Sequence, residues 1–142
     1  MLKYLRKYKS TMLTKVNPAS LGLFRILIGF IFIIQSVSFL SGDFIQENFI
    51  DSKIRFRFSY FEFLEPLSEQ GMGLLIFLMF LSAVFIMFGR FFKIAAGLFG
   101  LIFTYIWLLD KSYFNNHYYF ITLLVLLLLF TNADAWGSFK GK

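Results

Sequence analysis

The 142-residue chain is 58% hydrophobic and 22% aromatic, only 15% charged, and carries a net charge of +6. Its mean hydropathy is +0.72, whereas soluble domains carry roughly a quarter charged residues, so the composition argues against a water-soluble fold. Cysteine is absent and histidine occurs once, which excludes disulfides, thiol catalysis and thiolate-bound metal and argues against any dedicated metal site.

The basic balance is not a nucleic-acid signature. Lys3, Arg6, Lys7, Lys9 and Lys15 crowd the stretch before the first apolar run, a pattern that orients membrane proteins. That run, Ala19 to Leu40, is longer than a signal-peptide core and lacks a small-residue cleavage site, so it reads as a retained helix. Its 22 residues would extend ~33 Å, enough for a hydrocarbon core of ~30 Å, and Asn17 and Pro18 mark its start.

Arg25 lies inside this first span, at ~8 Å depth and roughly 20 Å from His117 by helix rise, where a charge costs ~2.5 kcal/mol or more unless paired or snorkelled. Gly22, Gly29 and Ser36 recur every seven residues and share an arc with Arg25. Small residues mark helix contacts, so Arg25 is expected to face the bundle as a structural polar group.

The connection from Ser41 to Gln70 is acidic on balance but rich in phenylalanine. In Lys53-Ile-Arg-Phe-Arg-Phe-Ser-Tyr the apolar residues alternate at a strand period. A lone strand at membrane depth would leave its backbone unpaired, so the expectation is an interfacial segment that lays aromatics on one mouth of the bundle.

Two further spans follow, at about 71–88 and 91–109, separated only by a tight turn around Gly89-Arg90, which makes them an antiparallel hairpin. Ala96 and Gly100 form a small-residue contact face on the second of these. The last span, about 116–130, is short and is expected to use tilt, local thinning or the flanking Phe114 and Trp136. The predicted fold is thus an all-α integral membrane bundle of four spans, forming a single domain over residues 1–142. Basic residues favour one side of it, including Arg90, Lys93, Lys140 and Lys142, which predicts both termini in the cytoplasm.

Between the last two spans stands Asp110-Lys-Ser-Tyr-Phe-Asn-Asn-His117-Tyr-Tyr, polar and aromatic together. Asn115 or Asn116 suits a helix N-cap. The imidazole of His117 can exchange a proton with a ligand or simply hydrogen-bond a loop carbonyl.

The stretch Leu108 to Tyr119, LLDKSYFNNHYY, resembles the LLDK-x-x-x-NNH-x-Y pattern of vitamin K-dependent γ-glutamyl carboxylases and the related bacterial HTTM proteins. SLGLFRILIGF around Arg25 and RFSYFEFLEPL around Pro66 are looser matches, and Trp136 and Ser138 fall near a following aromatic and serine. A DoxX-like or purely structural membrane protein is the competing class. The resemblance implies a site where a reduced vitamin K-type quinone reacts with oxygen to generate a base for glutamate, and it makes Asn116 and His117 candidates for the quinone pocket. Asp110, Lys111 and Asn115 are assigned structural polar roles.

The family's lysine base lies beyond the matching region, and that role is carried over to none of Lys111, Lys140 and Lys142. The expectation is therefore a subunit or truncated module that packs with other membrane chains in a lipid bilayer, and not a self-sufficient carboxylase. A quinone-binding half-site is the alternative.

Overall fold

The computed structural model describes residues 17–41, 44–51, 56–113 and 115–138. The N-terminal bases, Lys53 to Arg55 of the alternating stretch, Phe114, Lys140 and Lys142 lie outside the described residues. Among the described residues four α-helices run up and down: α1 (Ala19–Leu40), α2 (Glu69–Phe88), α3 (Phe92–Leu108) and α4 (Asn116–Leu129).

The Asn17 side chain accepts a hydrogen bond from the Ala19 amide at 3.0 Å where α1 begins. The buried face of α1 is Gly22, Arg25, Gly29, Phe32, Ser36 and Phe39, alternate steps of three and four that trace one stripe of a helix. Helix α2 starts two residues before the apolar run suggests. Ser68 caps it by accepting from the Gly71 amide at 3.3 Å, and Glu69 in the first turn favours the positive end of the helix dipole.

Helix α2 ends at Gly89, whose φ of 72° is left-handed. The Gly89 amide bonds to Ile86 O and the Arg90 amide to Phe85 O, both at 3.1 Å, the paired closure of a Schellman motif. Phe91 follows with φ 49°, and α3 starts at the next residue. The connection is short enough to force α2 and α3 side by side.

Close helix approach occurs where the small residues stand. A Cβ built on Gly29 would fall 2.7 Å from the Met87 Cα, and one on Gly100 would fall 2.9 Å from Val125 Cγ1. Between these contacts runs a column of rings. Phe32 stacks on Phe99 at 4.2 Å, Phe99 on Phe103 at 5.7 Å, Phe103 lies beside Phe39 at 6.5 Å, and Phe39 stacks on Phe44 at 4.5 Å. Such pairs contribute about 0.5–1.5 kcal/mol each beyond the area they bury.

The connection between α1 and α2 contains no strand among the described residues. It opens with a π-helical turn, Gln46–Ile50, that buries Phe49. It then folds through two tight turns closed by Phe61 N to Phe58 O at 2.8 Å and Leu64 N to Phe61 O at 3.0 Å. Of the aromatic alternation, the described residues 56–60 form no strand, and Phe58 packs edge-on against Trp107.

Helices α1 and α2 are each long and apolar enough to cross a membrane, while α3 and α4 are shorter apolar helices. Only 28% and 33% of the most apolar windows of α1 and α2 are buried inside the bundle, so neither is the enclosed core helix of a soluble domain. Their outward faces carry Leu27, Phe30, Ile34, Leu74 and Phe77, and α3 exposes Leu101 to 73%. Large apolar side chains exposed on several helices are compatible with an exterior that meets lipid.

Candidate functional site

The two ends of the bundle differ in chemistry. At one end stands the LLDK and NNH stretch. Asn115 caps α4, its side chain accepting from the Tyr118 amide at 2.9 Å, so of the two candidate caps Asn115 does this work. Asn116 and His117 occupy the first turn of α4 and are exposed. Neither lines the groove described below.

The next residue points the other way. Tyr118 lies half-buried, edge-on to Phe103 at 5.2 Å and to Phe39 at 6.3 Å, with its hydroxyl near the side chain of Gln35 on α1. The ring column of the core therefore runs up to the foot of His117. The neighbouring α3 end is a second polar knot: Trp107 Nε1 donates to Thr122 Oγ1 at 3.2 Å, and the hydroxyls of Thr104 and Thr122 lie 3.4 Å apart. Thr104 and Thr122 fall in apolar helices; a polar residue within a span is the signal that could have singled them out beforehand.

Asp110 and Lys111 fasten the α1–α2 connection over this end. Asp110 is only 5% exposed, and its Oδ1 accepts from the Ser112 amide at 2.8 Å and from the Phe56 amide at 3.4 Å. The Lys111 amide donates to Phe56 O at 2.7 Å. Both backbone groups of Phe56 are thus held by two consecutive residues, a fragment of sheet-like pairing contributed by one side chain and one peptide. The Lys111 Nζ lies 5.5 Å from the centre of the Phe58 ring, within the range of cation–π attraction, and the Tyr105 hydroxyl donates to Glu65 O at 2.6 Å. The connection presents Phe56, Tyr60 and Phe63 outward, Tyr60 being 91% exposed. Arg57 and Glu65, 3.5 Å apart, pair at its exposed surface, where such a bridge adds little.

Along the outside of α3 and α4 runs a groove of about 420 Å³ lined by Ala96, Gly97, Gly100, Thr104, Thr122 and Val125 among others. No group of three or more His, Asp or Glu side chains able to hold a metal occurs among the described residues.

At the opposite end Arg25 is fully buried. Its Nη1 donates to Ile86 O and Met87 O, both at 3.0 Å, adding acceptor bonds to the carbonyls that end α2 and setting a cation at the negative end of that helix. Its Nη2 donates to Trp136 O at 3.3 Å and to Gly137 O at 2.7 Å, and Asp134 contributes an opposite charge nearby. The seven-residue spacing of small residues marked the face that carries Arg25, but no local pattern pointed to carbonyls more than a hundred positions away.

No solved structure matches the chain. The family profile of the HTTM domain matches residues 13–142, a span that includes Arg25, the Asp110–Lys111 clasp and the NNH stretch, and agrees with the resemblance to the carboxylases. On that match, which takes in all four helices, the chain belongs to the HTTM domain family.

Proposed function

We propose that the chain is a four-span HTTM membrane module with both termini in the cytoplasm of a bacterial inner membrane, working in contact with other membrane chains and without carboxylase activity of its own. The observation that carries the membrane reading is the apolar exterior shared by all four helices, from Leu27 and Phe30 on α1 to Leu127 on α4. At ~1.5 Å per residue, the 17 residues of α3 and the 14 of α4 fall short of a ~30 Å core, a mismatch that tilt and local thinning accommodate.

The small-residue groove between α3 and α4 supports contact with a further helix, because glycine and alanine let backbones approach closely in lipid. Reporter fusions after Ser112 and Lys142 test the topology: signals on opposite sides of the membrane are expected, and a periplasmic signal after Lys142 would overturn it. For the activity, purified chain in lipid vesicles with a glutamate peptide, reduced quinone, oxygen and labelled carbon dioxide should incorporate no label. Incorporation without a second protein would refute that part.

A second reading, the quinone-binding half-site, is favoured by one feature. Beneath Asn116 and His117 the Tyr118 ring meets the rings of Phe39 and Phe103, an apolar wall with few polar anchors, which is the make-up of pockets for apolar ligands. On this reading Asn116 or His117 bonds a quinone oxygen at the mouth. Quinone binding by the purified complex should weaken when His117 is changed to alanine; unchanged binding would remove the quinone role.

A further inference from the structure

We propose that the hook that follows α4, residues 131–138, is a latch that closes the Arg25 end of the bundle, with the guanidinium of Arg25 as its fastening and Gly22, Gly89 and Gly137 as the socket built around it. A guanidinium offers five N–H donors in a rigid plane. Arg25 spends its two terminal nitrogens on two different structures. One nitrogen holds the end of α2 through Ile86 and Met87, and the other holds the hook through Trp136 and Gly137.

The three glycines are required by this arrangement. A Cβ on Gly22 would stand 2.7 Å from the Trp136 ring and 2.8 Å from the very carbonyl that Arg25 binds. A Cβ on Gly89 would collide with the guanidinium itself and come 2.7 Å from the Ser138 Cβ. Gly137 has a φ of 62°, and because its two backbone torsions set the angle between the Trp136 and Gly137 carbonyls, this left-handed turn lets both face one nitrogen. The hook is also internally braced, with Ser138 Oγ donating to Asp134 O at 2.7 Å and the Ala135 amide to Asn132 O at 3.0 Å.

Docking of the hook and burial of Arg25 are therefore one event. If the hook leaves, Nη2 loses both of its acceptors and the guanidinium keeps only the Ile86 and Met87 carbonyls, with Nε already unpaired, so a charge left with so few partners inside the bundle is disfavoured. Arg25 must then follow the hook toward a polar environment, releasing the end of α2 as it goes. The device has two arrangements, closed with Arg25 buried and open with Arg25 and the α1–α2 end both exposed.

The absence of cysteine makes the test direct. Single-cysteine versions of the full chain, Ser138→Cys in the hook and Ser36→Cys in the buried stripe of α1, are purified in detergent micelles and their maleimide-labelling rates measured. In an Arg25→Gln background the Ser138→Cys reporter should label about tenfold faster, equivalent to ~1.4 kcal/mol of lost closure, while the Ser36→Cys reporter keeps its rate. The same pattern is expected with Gly22→Val, which leaves the guanidinium intact and acts by displacing Trp136, so the proposal stays testable if Arg25→Gln does not fold. Unchanged labelling at position 138 with Gly22→Val would overturn the latch. Equal acceleration at both reporters would also overturn it, by showing that Arg25 supports the whole bundle and not a separable hook.

Discussion

Replacing Gly29 with alanine tests how tightly α1 and α2 are joined. The added methyl would lie 2.7 Å from Met87 Cα, 2.8 Å from Met87 N and 2.9 Å from Met87 Cβ. Two of these three atoms are backbone, so no rotamer change relieves the overlap and the helices must separate. Overpacking costs about 1–3 kcal/mol, and a rigid backbone neighbour places this site at the upper end. Alanine recovers about 1 kcal/mol of helix propensity, leaving a net loss of about 2 kcal/mol, or roughly a 30-fold shift in the folding equilibrium.

Gly97→Ala is the matched control, since its nearest atom, Leu129 Cδ2, would be 3.9 Å away. It gains the same propensity without a clash and should be neutral or stabilised by up to ~1 kcal/mol. Reversible unfolding in mixed micelles, followed by far-ultraviolet circular dichroism, compares the two. Equal stabilities for the two variants would refute the close α1–α2 contact at Gly29.

Asn115→Ala should cost about 1 kcal/mol through loss of the α4 cap while Asn116→Ala stays near wild type, and the same unfolding assay reads the difference; the reverse ranking would reassign the cap. Asp110→Ala removes the acceptor of the Ser112 and Phe56 amides, at about 0.5–1.5 kcal/mol for each part-buried bond lost, and should speed hydrogen exchange at Phe56 without affecting the Gly89 turn. Trp107→Phe deletes the donor to Thr122 but keeps most of the packing against Phe58, so a loss of about 1 kcal/mol is expected, with a larger loss pointing to Phe58 packing as the dominant contribution. Phe91→Gly relieves a left-handed backbone that strains a bulky residue by about 1–2 kcal/mol, and the hairpin should gain stability because the Phe91 ring is largely exposed.

The local sequence alone determined where the helices lie. Apolar runs bounded by Asn17-Pro18, Gly89-Arg90 and Asn115 mark elements whose backbone bonds are satisfied within each segment, so their ends follow from nearby caps and turns. The seven-residue spacing of Gly22, Gly29 and Ser36 likewise marked the buried face of α1, since helical periodicity converts position directly into direction. The LLDK and NNH stretch was legible as a motif, and the family match agrees with it. The sequence narrowed the cap of α4 to Asn115 or Asn116, and the structure assigns it to Asn115; what the motif did not reveal is that Tyr118 turns into the ring column and that Asn116 and His117 stand exposed beside it. Only tertiary structure decided the remaining features. The grip of Asp110 and Lys111 on Phe56 spans more than fifty residues, and that of Arg25 on Trp136 and Gly137 more than a hundred. The strand-like alternation of residues 53–60 was expected to lie as an interfacial segment, but only the fold decided that Phe56 meets a single clasp and Phe58 a tryptophan face. Each of these outcomes depends on which carbonyl, ring or glycine arrives from a distant helix, and that arrival is fixed by packing four helices together, which no local period of the chain encodes.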